Sequence, residues 1–318
     1  MMRVDDETGP QATVNQAGRQ AGSPTVSVVV ASIEASVTIA ASLARFVEEA
    51  GMQGEVILVD ASRDGTADRA RDRFPGLRIL RKPPGRLAPE LWRDGLNASD
   101  APLVAFSTAQ MIPARGWLES LRGCLESTGA AAVGGPIDPA PRLSAVDRAV
   151  YLLRYVNYLK PLPSVAQTEP PGDNALYRRD ALVGLETVWE AGFWEVEIHR
   201  RLRDRGATLG MANEAVVEFQ GGGGLGLALR QRRDHARHYG AARGGRMTRA
   251  ERLMRSAAAP LVPALLIRRI TAALAQRGRG IGPWLSALPS LSLLLAAWSA
   301  GETTGTWLGP PARGRTVA

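Results

Sequence analysis

The sequence predicts an α/β domain, and three observations carry that prediction. Two β-rich apolar runs, residues 25–32 and 56–60, lie about one strand–helix–strand unit apart. Further short apolar runs alternate with helical patterns as far as residue 135. The second run ends on a carboxylate, Asp60, with a polar turn and a helix start behind it. Strands alternating with helices at this interval argue for a parallel sheet covered on both faces.

The elements follow in order. A strand over 25–31 leads to a helix over 39–50, where Leu43, Phe46 and Val47 fall at helical spacing. Next come a strand at 55–59, a short helix at 67–74, a strand at 77–80 and a helix at 88–96. A strand at 103–106, a helix at 117–127 and a strand at 131–135 complete the alternation. After residue 140 the rhythm stops. Residues 146–158 read as helix, 161–173 as a Pro-rich loop, 193–205 as helix, 215–219 as strand and 225–239 as a basic helix.

The two ends differ from this body. Residues 1–24 are polar and rich in Gly and Gln, without the apolar core of a signal peptide, and read as a disordered tail. Residues 25–245 form the main domain and 246–318 a helical region expected to associate with a membrane. There, 256–267 is uncharged and apolar, and 280–301 runs uncharged for 22 residues. About 20 apolar residues can cross a bilayer. Pro283 and Pro289 weaken a straight span, so a hairpin within one leaflet and a helical pair packed on the domain stay open beside it. Arg268, Arg269, Arg277 and Arg279 would keep the near side of the long segment cytoplasmic.

Composition excludes some classes. Of 318 residues, 45% are hydrophobic and 22% charged, which is globular rather than disordered. The net charge of +8 comes from cations that are almost all Arg. An anionic membrane surface or a diphosphate explains it as well as nucleic acid does. Aromatic residues at 5% do not interleave with a basic stripe, which argues against a nucleic-acid reader. Cys124 is the only cysteine, so no intramolecular disulfide or Cys-based metal cluster can form.

Four segments carry chemistry. Asp60, with Asp64 and Thr66, sits where open α/β sheets hold ligands, beyond the carboxyl ends of strands. Asp64-Gly65-Thr66 fits a helix N-cap equally well. Arg81-Lys82-Pro83-Pro84-Gly85-Arg86, with Arg93 on the next helix, suits a diphosphate or a solvated charge run. The third segment is Ala105-Phe106-Ser107-Thr108-Ala109-Gln110-Met111-Ile112-Pro113, ahead of Gly116-Trp117-Leu118-Glu119. The fourth is Gly192-Phe193-Trp194-Glu195-Val196-Glu197-Ile198-His199 and its continuation to Gly206.

At the third segment the chain resembles the family 2 glycosyltransferases of GT-A fold. Ser27-Val28-Val29-Val30-Ala31-Ser32-Ile33-Glu34 resembles that family's opening Ser-Val-Val-Ile-Pro-Thr-Tyr-Asn. Val59-Asp60-x-Ser62-x-Asp64-Gly65-Thr66 resembles its nucleotide-binding segment, and Arg93-Asp94-Gly95 stands at its Arg-Asn-x-Gly. The likeness covers about residues 25–245. It implies a Rossmann-like mixed sheet with flanking helices, here with a C-terminal apolar helical appendage. It implies inverting transfer from a nucleoside-diphosphate sugar to a hydroxyl acceptor, with Ser32, Glu34, Asp60, Asp64, Lys82, Arg93, Thr108 and Gln110 holding the donor.

In the fourth segment the register of Leu202 and Gly206 puts Glu195 at the family's catalytic base and Trp194 where an acidic residue is usual. An inverting transferase needs one carboxylate to take the acceptor proton. Surface pairing of Glu195 with His199, and of Glu197 with Arg201, is the alternative. Asp173-Asn174-Ala175-Leu176-Tyr177-Arg178-Arg179 resembles the segment that lines the acceptor side. Gln231 to Gly240 takes the place of a Gln-x-x-Arg-Trp-type helix. The resemblance thus assigns Asp173, Asn174, Trp194, Gln231, Arg233 and His235 to acceptor or diphosphate. His235 and His238 share a face but lack the further ligands a zinc site needs.

The family's Asp-x-Asp, which holds Mg²⁺ or Mn²⁺, falls on Thr108-Ala109-Gln110. Neither side chain matches a carboxylate as a ligand for a hard cation, so no metal ligand is assigned. Two readings follow: a transferase at the cytoplasmic face of the membrane, acting on a lipid-linked or glycan acceptor in cell-envelope glycan or glycolipid synthesis, or a catalytically inactive GT-A-fold protein that binds nucleotide or glycan in a membrane complex. The membrane contact is expected over residues 256–301. Gly221-Gly222-Gly223-Gly224-Leu225-Gly226 satisfies a dinucleotide fingerprint literally, but no strand with an acidic end follows. A glycine loop over the sugar-nucleotide site fits better. The absence of glycine from Ala31-Ser32-Ile33-Glu34 counts against a nucleotidyltransferase.

Overall fold

The computed structural model describes residues 23–162, 169–245 and 247–309. The expected tail over 1–24 therefore lies almost wholly outside the described residues, as does the middle of the Pro-rich loop.

The chain opens with β1 (Val26–Ser32), α1 (Ile39–Ala50), β2 (Gly54–Asp60), α2 (Thr66–Arg73), β3 (Arg78–Arg81), α3 (Ala88–Asn97) and β4 (Leu103–Thr108). A short β5 (Met111–Pro113), α4 (Trp117–Thr128), β6 (Ala132–Gly134), β7 (Ile137–Pro139) and α5 (Ala145–Arg154) follow. Then come β8 (Asn174–Arg178), two single turns α6 (Arg179–Leu182) and α7 (Glu186–Trp189), α8 (Glu195–Asp204), β9 (Leu209–Met211) and β10 (Val217–Phe219). Four helices close the chain: α9 (Leu225–Gly244), α10 (Arg249–Ala258), α11 (Val262–Gln276) and α12 (Leu288–Leu308).

Seven strands form one sheet in the order β3-β2-β1-β4-β8-β6-β9, and β5-β10-β7 form a second. The main sheet is mixed, as the family resemblance implies. β8 runs antiparallel to both β4 and β6, which corrects the all-parallel sheet expected from the strand–helix rhythm alone. β8 arrives after the long excursion through α5, so no crossover helix fixes its direction.

All seven residues of β1 are buried, because helices cover both faces of the sheet. Val28 and Val30 point to the side of Ile39, Leu43 and Phe46. Val29 and Ala31 point to the side of Leu91, Trp92, Phe106 and Phe193. This is the two-residue alternation of a strand sandwiched between apolar layers. Gly95 allows α3 to press onto β1, since a Cβ there would lie 2.2 Å from a Val29 methyl.

Strand pairing sets the functional edge. Ser32 stands opposite Asp60, Asp60 opposite Arg81, and Ala31 opposite Thr108. The sequence motifs at the ends of four strands therefore meet in one row.

The C-terminal helices share the main core, through Leu274, Leu291, Leu294 and Leu295. The Arg277 guanidinium donates to the carbonyls of Leu159 (2.8 Å) and Asn157 (2.6 Å), tying the end of α11 to the segment after α5. α9 and α12 run side by side in the same direction. Cβ atoms on Gly301 and Gly305 would lie 2.3 and 2.0 Å from the carbonyl oxygens of Arg233 and Arg237. Gly240 and Gly244 meet the Glu302 and Thr306 carbonyls in the same way, at 2.2 and 2.7 Å. Two Gly-x-x-x-Gly pairs thus bring the helix backbones into direct contact.

Candidate active site

Beyond the carboxyl edge of the sheet lies a cavity of about 270 Å³. Its floor is Ala31, Ile33 and Thr108–Gln110 from the strand ends; Trp92 of α3 and Arg154 of α5 form walls. Gly172, Asp173 and Glu195 close one side, and Gly223, Gln231, Arg232 and His235 another. Leu294 of α12 completes the lining.

Glu195 opens α8, with Trp194 at the N-cap position. Its carboxyl is half-buried at the cavity wall and forms no ion pair among the described residues. Burial pushes it up to about 7; Asp173 and Glu169 add to the rise, while the helix-start amide and Arg154 oppose it. The surface pairing of Glu195 with His199 does not form. His199 is fully buried, its Nε2 2.7 Å from the Tyr177 hydroxyl and its Nδ1 3.8 Å from Glu169. Glu197 does pair on the surface, with Arg200 and, at 3.2 Å, with Arg201.

Asp173 accepts from Arg154 Nη2 at 3.0 Å, while its carbonyl accepts from Ser107 Oγ at 2.9 Å. The Arg154 guanidinium lies 4.9 Å from the centre of the Tyr155 ring. Asn174 is occupied differently from the acceptor role assigned to it. Its Oδ1 accepts from Trp117 Nε1 at 2.7 Å, and its Nδ2 donates to the carbonyls of Pro136 and Ala215 at 2.9 and 2.8 Å. It holds the two sheets together; both of its amide hydrogens are committed and the side chain is fully buried, away from any ligand.

The donor-side residues divide into two groups. Asp60 is buried and accepts from the Ser62 hydroxyl (2.6 Å) and, weakly, the Ser62 amide (3.3 Å). Glu34, at φ +51°, accepts from the Arg63 amide and donates its own amide to Ser62 Oγ. Asp64 accepts from the amides of Ser36 (3.0 Å) and Thr66 (3.2 Å), so it laces the loop after β1 to the start of α2. Burial raises its carboxyl, but these hydrogen bonds from Thr66 and Ser36 leave it lowered overall. Ser32 is buried with its hydroxyl unpartnered. None of Ser32, Glu34, Asp60, Asp64, Lys82 and Arg93 lines the cavity, whose strand-end lining is Ala31, Ile33, Ala35 and Thr108–Gln110. Lys82 and Arg93 both pair with Asp94, at 3.1 and 2.5 Å, so this one carboxylate offsets one of their two positive charges.

α9 brings Gln231, Arg232 and His235 to the cavity. Arg233 points away, largely exposed and 3.6 Å from Asp234. Trp194 packs its ring against His235 and His238, with centroids 5.1 and 5.4 Å apart. Burial and the Arg232 and Arg154 charges bring His235 down to about 3, so its imidazole is neutral. The glycine loop ahead of α9 is anchored by Asp147, whose carboxylate accepts from the Gly222 amide at 3.1 Å. A Cβ on Gly221, at φ +71°, would lie 2.3 Å from the Asp147 carboxyl carbon.

Sequence reasoning missed Arg154, Arg232, Asp147, Trp92 and Leu294 as site residues. Arg154 reads as an ordinary basic residue in a last helical turn, and Arg232 is one of several arginines in a run. Their selection depends on tertiary packing.

A metal of the Asp-x-Asp kind would have to be held at the end of β4. Thr108 presents a buried, unpartnered hydroxyl there and Gln110 a neutral amide. Among the described residues, no three His, Cys, Asp or Glu side chains cluster as a cation site. These residues do not fit a divalent cation, which favours several anionic oxygen ligands.

With this geometry in view, comparison places the chain. Residues 27–184 match the model described as Glycosyl transferase family 2. A mannosyltransferase from Pyrobaculum calidifontis, solved in complex with GDP-Man and Mn²⁺, is similar in fold, with a TM-score of 0.51 at 18% identity. That match covers 90% of this chain and 88% of the other. Glucosyl-3-phosphoglycerate synthase from Mycobacterium tuberculosis, in complex with Mn²⁺, UDP and phosphoglyceric acid, matches at 21% identity and a TM-score of 0.45. There the coverage is 67% of this chain and 76% of that one. No curated protein sequence matches the chain.

Proposed function

Since the chain carries a glycosyl transferase family 2 domain and is a glycosyltransferase of that family, we propose that it transfers a sugar with inversion and that Glu195 is the base. The observation that carries this reading is the Glu195 carboxyl at the cavity wall, free of any ion pair among the described residues and raised to about 7. Near neutral pH such a group is matched to accepting a proton. The acceptor hydroxyl attacks the anomeric carbon as Glu195 takes its proton. The bond from that carbon to the diphosphate oxygen breaks, and the nucleoside diphosphate departs with the electron pair. An α-linked donor gives a β-linked product. Asp60, Ser32 and Glu34, at the strand ends beside the cavity, are the groups that the family resemblance gives to the nucleoside.

The acceptor in this reading is presented at the cytoplasmic face of a membrane, lipid-linked or glycan, in cell-envelope synthesis. Support comes from large apolar side chains left exposed on the C-terminal helices, among them Leu253, Met254, Leu261, Leu265, Leu293 and Leu308. Arg255, Arg268 and Arg269 are exposed on the same helices. Gly282–Leu308 is long and apolar enough to cross a bilayer by length and composition. Its contact with α9 favours lying on the membrane instead. A crossing α12 would carry the Arg233–Arg243 stretch of α9 into hydrocarbon, at about 2.5–3.5 kcal/mol or more for each centrally placed charge.

The test is transfer by Glu195→Gln with donor binding measured beside it. Loss of transfer with binding retained supports the base, and an unchanged rate removes it. Flotation with vesicles containing anionic lipid tests the surface position. Protein left at the bottom of the gradient would overturn it.

A further inference from the structure

We infer that Arg232 supplies the positive charge for the donor's diphosphate, in place of a divalent cation. The inference rests on the reading of this cavity as a nucleoside-diphosphate-sugar site. Arg232 lines the cavity from α9, and its Nε is buried without a hydrogen-bond partner. No carboxylate among the described residues pairs with it. What holds it is the Trp298 ring of α12, 3.9 Å from the guanidinium carbon. That aromatic face steadies a cation without neutralising it. Arg154, across the same cavity, is already committed to Asp173.

A half-buried guanidinium whose Nε is shut off from solvent and which has no counter-ion is costly, and proteins keep one where an anion will meet it. Burial, helped by repulsion from Arg154, drags its ionisation down to about 9, so it stays cationic at neutral pH. The planar fork matches a phosphate with two parallel hydrogen bonds. The floor facing it is Thr108 and Gln110, neutral where the metal-dependent pattern has carboxylates. Carboxylates there would compete with the diphosphate for Arg232. The neutral floor and the unpaired arginine are therefore two parts of one charge arrangement.

Calorimetric titration of the full chain with UDP and with GDP, in EDTA and then in Mn²⁺, tests this. The expected result is binding of one of them in EDTA, little altered by Mn²⁺. Arg232→Gln should weaken it by about ten- to a hundredfold, the weight of a charge-assisted hydrogen-bond pair. Arg232→Lys, which keeps the charge, should recover part of the loss. Phenylglyoxal labelling of the unmutated chain is independent of whether the variants fold, and the bound diphosphate should protect Arg232 in EDTA. Binding that requires Mn²⁺, equal labelling with and without nucleotide, or full affinity in a cooperatively melting Arg232→Gln chain overturns the inference. A folded wild-type chain that binds neither nucleotide in either buffer overturns the reading of the cavity as well.

Discussion

Gly172 and Glu195 are fitted to each other: a Cβ on Gly172 would stand 3.1 Å from the Glu195 carboxyl carbon and 2.8 Å from the Trp92 ring. Gly172→Ala should push the carboxylate off its position while leaving the strand ends untouched. A displacement near an ångström costs about a hundredfold in turnover. Steady-state kinetics should show the loss in kcat, with nucleotide affinity retained.

Glu195→Gln should lower kcat by about 10²–10⁴, the usual contribution of a general base. In the wild type, kcat should rise with pH and level off above about 7, as the carboxyl loses its proton. The effect on stability has the opposite direction. A carboxyl raised in the folded state favours folding at low pH, and that contribution is lost as pH rises through about 7. Thermal melts should show Glu195→Gln gaining on the wild type as pH increases from about 4.5 to about 7 and little beyond, on the order of two pKa units' worth of linkage at most.

Asn174→Ala should be a folding mutation. It strands the buried Trp117 Nε1–H and two carbonyls, those of Pro136 and Ala215. A loss of about 3 kcal/mol is expected from such unsatisfied groups, read from the urea midpoint. An unchanged midpoint with weakened acceptor binding would return Asn174 to the ligand role.

Gly305→Val would drive a side chain into the Arg237 carbonyl, 2.0 Å from the Cβ position. Neither helix backbone can yield locally, so a cost of about 1–3 kcal/mol or more is expected. A drop in Tm should come with weakened nucleotide binding, because Trp298 moves with the helix.

Legibility of the fold followed length and repetition. β1 and β2 are seven-residue strands built on the apolar runs 28–31 and 56–59, and α1 and α3 carry clear helical spacing, so all four were readable. β5, β7 and β9 are three residues each and exist through partners far along the chain, such as Met111 beside Phe219. No local period announces them. β8 hid inside a segment read only for its polar residues, which is why the sheet's reversed strand went unseen. In the site, Asp60 and Glu195 stood out through motif position. Lys82 and Arg93 looked like diphosphate ligands because adjacent cations are visible in sequence, whereas their shared partner Asp94 becomes decisive only in three dimensions. Arg232 had the reverse problem: its neighbours in sequence are arginines too, and only packing shows which one faces inward.

The glycine seam between α9 and α12 bears on how this enzyme can be shortened. Composition changes near residue 245, and a soluble catalytic fragment would naturally be cut there. Such a fragment would lose Leu294 from the cavity wall and Trp298 from beneath Arg232. It would also bare the glycine face of α9 to water. The apolar tail is thus a structural wall of the cavity, and removing it for convenience in purification would open that cavity on one side.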